Sequence, residues 1–315
     1  MASNYCCTSC PMPNILLIFV ALFLGIFLQR IPDFPENASK TFNAYLIYVV
    51  LPAIALLYIP RIVIGTELIL PVLVAWIGFF LSWLVFSQVG KIKSWERGTI
   101  GCLIITAGLA NTSFIGIPII EALYGTEGLK IAILIDQPGS FVLVSSFAII
   151  VGSIYSNKKS RKRDITRNIL LFPPFMFFMI ALGMNLLGIQ ASGIGVHILE
   201  SFTLTLTPIA LLSVGLQTKL TFGEIKDPAL WYGLAFKLVV APLVIYLLYG
   251  MILGDSPMEQ LIYKVSVLEA AMAPMIAGSI IAISYGLHPR LASLMIGIGI
   301  PLSFITLIGW YLLVE

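Results

Sequence analysis

An all-α polytopic membrane protein with ten spanning helices is the fold this sequence predicts, and three observations predict it. Composition is the first: 59% of the 315 residues are hydrophobic, 10% are charged, and the mean hydropathy is +1.02. A soluble domain carries about 25% charged residues, so most of this surface faces lipid. The second is a series of ten apolar runs, each about long enough to cross a bilayer. The third is a pair of spans interrupted by helix breakers, one in each half of the chain.

The runs follow in order. Residues 1–11, with Cys6, Cys7 and Cys10, read as a disordered leader ahead of Met12. Three thiols without a nearby fourth ligand do not make a structural zinc site, so no metal and no cofactor is expected. The first span, roughly 14–30, has no positive residue before it and Arg30 behind it. That order favours a retained helix with its N-terminus outside over a cleaved signal. Further spans fall at roughly 42–59, 68–90, 98–124 and 129–155, then at 168–189, 196–216, 228–252, 261–285 and 290–313. Residues 156–167 form a basic loop between the halves.

Charge sets the orientation. With the N-terminus outside, fourteen Lys and Arg residues fall on the cytoplasmic side and three (Arg61, Lys130, Lys264) on the other. The positive-inside rule then places both termini outside the cytoplasm, in an integral plasma (inner) membrane protein. Lys237 lies within the eighth span, near enough to its start to snorkel towards the cytoplasm.

The two halves, residues 12–155 and 168–315, repeat weakly. Leu51-Pro52-Ala-Ile-Ala-Leu-Leu57 resembles Thr207-Pro208-Ile-Ala-Leu-Leu212, and Ile119-Ile-Glu-Ala-Leu-Tyr124-Gly125 matches Ile280-Ile-Ala-Ile-Ser-Tyr285-Gly286. Five spans per repeat is an odd number, so the second copy is expected to be inverted, as in many secondary transporters.

The interruptions carry the functional signal. Gly108-Leu-Ala-Asn111-Thr-Ser-Phe-Ile-Gly116-Ile-Pro118 sits inside the fourth span, and Glu269-Ala-Ala-Met-Ala-Pro274-Met-Ile-Ala-Gly278-Ser279 inside the ninth. Freed backbone groups find no water in lipid, so such segments are tolerated where protein or a cavity satisfies them. Pro118 and Pro274 are expected to set the two breaks. Each break then gives a half-helix whose N-terminus, with its free N–H groups and partial positive charge, points to the centre. Two such ends favour an anion without any full charge nearby. Asn111, Thr112, Ser113 and Gln137 are the expected ligands, being able to hydrogen-bond a carboxylate. Asp136 and Glu269 are acids within spans and candidates for ion coupling, through H+ or Na+. Met272 and Ser279 are secondary candidates. His288 reads as a turn residue before Pro289, and His197 receives no role. No nucleophile triad, phosphate loop or nucleic-acid face is evident, so neither enzyme chemistry nor a nucleic-acid partner is expected.

Asn111-Thr112 with Gly116-Ile-Pro118 and Tyr124-Gly125 resembles the fourth helix of the auxin efflux carrier family. Tyr285-Gly-Leu-His288-Pro289 after Pro274 is similar to its ninth-to-tenth helix junction, and Asn43 with Pro52 to its second helix. The resemblance implies a five-plus-five inverted repeat related in fold to bile acid–sodium symporters, with broken fourth and ninth helices crossing. Spans 1, 2, 6 and 7 would form a dimerising scaffold, and spans 3–5 and 8–10 a mobile transport domain. Lacking the long central loop of plant carriers, the chain resembles a prokaryotic-type member. The expected function is secondary transport of a small organic anion, an auxin-like or malonate-like mono- or dicarboxylate, by an elevator movement, proton-coupled or potential-driven. The alternatives are a sodium-coupled symporter of the bile acid type and a non-transporting membrane sensor. Expected partners are that anion, membrane lipid and a second copy of the chain.

Overall fold

The computed structural model of the chain describes residues 11–35, 37–61, 69–156, 173–217 and 227–315. The leader cysteines and the basic loop 157–167 lie outside the described residues. Among the described residues all regular elements are helical, apart from one isolated bridge between two backbone segments.

Among the described residues, six helical stretches are long and apolar enough to cross a bilayer: Ala38–Arg61, Ile69–Ile92, Thr112–Tyr155, Ile194–Leu216, Pro228–Ile252 and Pro289–Val314. Helix breaks account for part of the difference from the expected ten. The apolar runs continue through their breaks, but the helices do not. The fourth run is cut after Arg97–Gly108, and the ninth divides into Pro257–Ala270 and Ile276–Ser284, pieces of 14 and 9 residues. Conversely, the 44-residue stretch Thr112–Tyr155 holds two helices, separated at Gly125, whose φ of 63° suits glycine. Pro11–Leu28 and Pro173–Leu186 are further apolar helices.

Prolines shape the helices from within. A proline lacks its N–H and pushes against the carbonyl four residues back, so the preceding turn widens. Pro52, Pro118 and Pro242 each follow a π-helical turn, over Leu46–Val50, Thr112–Gly116 and Phe236–Val240, and Pro138 lies inside a fourth, Ile135–Phe141. The carbonyl of Leu238, four residues before Pro242, is taken instead by the indole Nε1 of Trp310 at 2.9 Å. Trp76 Nε1 likewise donates to the Pro138 carbonyl at 3.3 Å. Such wide turns often mark functional positions, and three of these four carry site residues.

Packing sorts the helices into two groups. Pro11–Leu28 lies against Leu206–Gln217 at a glycine crossing. There a Cβ on Gly25 would come within 2.3 Å of the Leu212 carbonyl oxygen, and one on Gly215 within 2.3 Å of the Leu22 oxygen. Small residues of this kind let helix backbones touch in a membrane. Ala38–Arg61 joins this pair through Ser213 Oγ, which donates to Asn43 Oδ1 at 2.6 Å, and through Tyr45 and Thr205, whose hydroxyls lie 3.0 Å apart. Pro173–Leu186 packs on the same helix, where Asn185 Nδ2 donates to the Ile59 carbonyl at 2.8 Å. The second group gathers Ile69–Ile92, Arg97–Gly108, Thr112–Tyr155, Pro228–Ile252 and the remaining C-terminal helices. The groups meet where Pro11–Leu28 and Leu206–Gln217 touch the segment that follows Gly108.

Candidate functional site

The two interrupted segments cross antiparallel and are tied by backbone hydrogen bonds. Asn111 N donates to the Ala273 carbonyl at 2.8 Å, and Met275 N to the Leu109 carbonyl at 3.0 Å, with Ala110 paired opposite Pro274. Each break therefore satisfies the backbone groups freed by the other, which is how irregular backbone persists at membrane depth. The location of the first break corrects the sequence expectation. It opens at Leu109–Asn111, directly after Gly108, and Pro118 lies inside the half-helix that Asn111 caps, where it follows the widened turn Thr112–Gly116 and does not break the helix. Pro274 does lie within its break, with its ring against Gly299; a Cβ on that glycine would approach Pro274 Cδ to 2.8 Å.

Asn111 caps the half-helix that leaves the first break. Its Oδ1 accepts from Phe114 N at 3.2 Å, while its buried Nδ2 has no hydrogen-bond partner. The half-helix Ile276–Ser284 starts with no side-chain cap, and the Ser279 hydroxyl in its first turn is buried without a partner. Donors of this kind suit an anion.

Thr112 and Ser113 are placed differently from the direct ligands that were expected. Both hydroxyls donate to Asp136 Oδ1, at 2.6 and 2.5 Å, and Gln137 Nε2 donates to Asp136 Oδ2 at 3.0 Å. Asp136 is fully buried, and these three charge-assisted bonds replace its lost water. Gln137 keeps its Oε1 without a partner. The acid thus binds the wide turn Ile135–Phe141 to the start of the half-helix after the first break.

Glu269 lies on the last turn of Pro257–Ala270, fully buried. Its carboxylate rests on Gly116, where a Cβ would stand 2.2 Å from Oε2, and neither of its oxygens has a hydrogen-bond partner. Lys237 comes to the same place. It is 3% exposed, and its ammonium donates to the Ala270 carbonyl at 2.8 Å. This overturns the snorkelling expectation: the wide turn Phe236–Val240 faces the side chain inward, and a helix C-terminus receives it favourably. Neither break contains a basic residue; the cation arrives from a third helix. A cavity of about 20 Å³ lies between Lys237, Glu269, Thr112, Ser140 and Ala270, enough for about one water-sized occupant.

A larger cavity of about 450 Å³ opens between the two helix groups, lined by Leu17, Tyr58, Thr203, Thr207 and Pro208 on one side and Pro118, Glu121 and Ala122 on the other. Glu200 also lines it, so two carboxylates face this space. Its size is that of a small-molecule site. Neither glutamate was singled out from sequence, because each lies near a helix end where an acid is ordinary.

The other sequence candidates have structural positions. Asn43 joins helices through Ser213, and Met272 is buried in the second break. His288 caps the last helix by accepting from Leu291 N through Nδ1 at 3.1 Å, as its turn position implied. His197 is an exposed side chain 3.7 Å from Glu200. No group of three or more metal-ligating side chains occurs among the described residues.

Comparison with known proteins points to a transporter family. The model of a family described as membrane transport protein matches residues 11–311. The chain is 26% identical to "Uncharacterized transporter MJ1031" of Methanocaldococcus jannaschii over 96% of its own length and 99% of the relative's. It is 26% identical to an "Uncharacterized transporter" of Methanothermobacter thermautotrophicus, covering 94% of this chain and 96% of that protein. It is 25% identical to "Uncharacterized transporter YfdV" of Escherichia coli, covering 91% and 92%.

Proposed function

The chain belongs to the membrane transport protein family, the auxin efflux carriers, and we propose that within it this protein is a secondary carrier of a small organic anion bound at the helix crossing. The observation that carries this reading is the bonded crossing itself. Two half-helices start there, beside the unpartnered Asn111 Nδ2 and Ser279 Oγ. A carboxylate bound there would draw on these donors to replace the water it loses.

An elevator movement suits the packing. The crossing lies wholly within the second group of helices, and the 450 Å³ cavity lies between that group and the first. In this reading the first group is the scaffold, through which a homodimer forms, and ten passes in two inverted halves make up the carrier. With the orientation set by the positive charges, the cavity faces outside. Glu121 and Glu200 in its wall disfavour a dianion, so a monocarboxylate is the better substrate. Asp136 and Glu269 are the groups through which a proton would couple.

Uptake of a labelled carboxylate panel into proteoliposomes, under imposed potential, proton or sodium gradients, tests the proposal. Saturable flux lost in Asn111→Ala supports it. Absence of flux for every carboxylate, in folded protein, favours the sensor alternative.

A further inference from the structure

We propose that Lys237 is the resident cation of the crossing: fixed on the Ala270 carbonyl, its ammonium supplies the positive charge that Glu269 faces, and an external alkali or alkylammonium cation enters only when Lys237 is removed. The inference deepens the carrier reading and rests on it for its meaning in transport, although its test does not require transport.

Three observations carry it. Glu269 is fully buried, and both of its oxygens lack a hydrogen-bond partner. An ionised carboxylate in that state needs a compensating charge. Lys237 lines the same cavity and is held by a 2.8 Å bond to a carbonyl of the broken segment. The cavity, about 20 Å³, is also lined by Ser140, whose hydroxyl is buried without a partner. Carboxylate, hydroxyl and helix-end carbonyl are the oxygens that would ligate an alkali cation. In this chain a tethered ammonium already occupies the carbonyl. The other buried acid, Asp136, has three donors of its own and does not depend on Lys237. The sodium-coupled alternative therefore loses its place at this site.

The test is thermal unfolding of the purified full-length protein in detergent, with sodium, methylammonium or N-methylglucamine chloride at equal ionic strength. The wild type is expected to unfold at the same temperature in all three. Lys237→Ala is expected to unfold about 10 °C lower, as for a buried charge left unpaired. Sodium or methylammonium should restore much of that loss and N-methylglucamine none. If Lys237→Ala does not fold, the pair Lys237→Met with Glu269→Gln, which removes both charges, is expected to fold where Lys237→Met alone does not. Sodium stabilisation of the wild type would overturn the proposal. So would a Lys237→Ala protein as stable as wild type and indifferent to cations, or a double variant no better than the single one. If the cation pattern holds but no carboxylate is transported, the carrier reading fails and the role of Lys237 stands.

Discussion

The carboxylate of Glu269 rests on Gly116 so closely that a Cβ there would lie 2.2 Å from Oε2. The two residues come from different halves of the chain, and their contact places the acid against the helix that leaves the first break. Gly116→Ala is therefore expected to destabilise the protein by ~1–3 kcal/mol, the usual cost of overpacking. In a chain that already carries Glu269→Ala, which also strips Lys237 of its partner, the added Gly116→Ala change should cost less than it does in the wild type. Thermal unfolding of the single and double variants measures both effects.

Asp136→Asn is expected to leave the fold intact. Thr112 and Ser113 both donate to Oδ1, which an asparagine retains, and Gln137 can turn its unpartnered Oε1 towards the new amide. Asp136→Ala removes the acceptor from three buried donors and should cost several kcal/mol, each orphaned group contributing ~1–3 kcal/mol. If Asp136 carries the coupled proton, the folded Asn variant should transport without pH dependence. Flux across a pH series, with unfolding curves alongside, checks this.

Two carboxylates in the wall of the large cavity should select against doubly charged substrates. The paired change Glu121→Gln and Glu200→Gln is expected to raise the flux of dicarboxylates relative to monocarboxylates by about tenfold, corresponding to ~1.4 kcal/mol per tenfold change. Competition between a labelled monocarboxylate and an unlabelled dicarboxylate reads the ratio.

The glycine crossing between Pro11–Leu28 and Leu206–Gln217 leaves no room for side chains. Gly215→Leu should separate these helices and destabilise the protein, whereas Gly183→Leu, with nothing within 4 Å of its Cβ position, should not. Unfolding temperatures of the two variants give the comparison.

Much of this was legible in the sequence, through the residues a membrane tolerates least. Asn111, Pro274, Asp136 and Glu269 stand out in apolar runs because burying them requires a partner, and all four meet at or beside the crossing. Other features were hidden for specific reasons. Pro118 pointed to the wrong place for the first break, since a proline inside a helix can widen the preceding turn without breaking it. The hydroxyls of Thr112 and Ser113 looked like ligands because their partner, Asp136, is more than twenty residues away. Lys237 looked like a snorkelling residue because its inward direction depends on a wide turn ahead of Pro242, and its acceptor lies on another helix. Composition carried the membrane setting, but partner choice across helices emerged from packing.

Asn111 is where the central claim is most exposed, because its two side-chain functions can be separated. Oδ1 caps Phe114 N, and Nδ2 is free for a ligand. Asn111→Asp keeps the cap and replaces the donor with a repelling charge, and unfolding curves select the conditions in which the variant is folded. The decisive measurement is equilibrium binding of a labelled monocarboxylate to purified wild-type and Asn111→Asp proteins. The account predicts saturable binding to wild type and none to the folded variant. Equal binding by both proteins would contradict it and place the substrate away from the crossing.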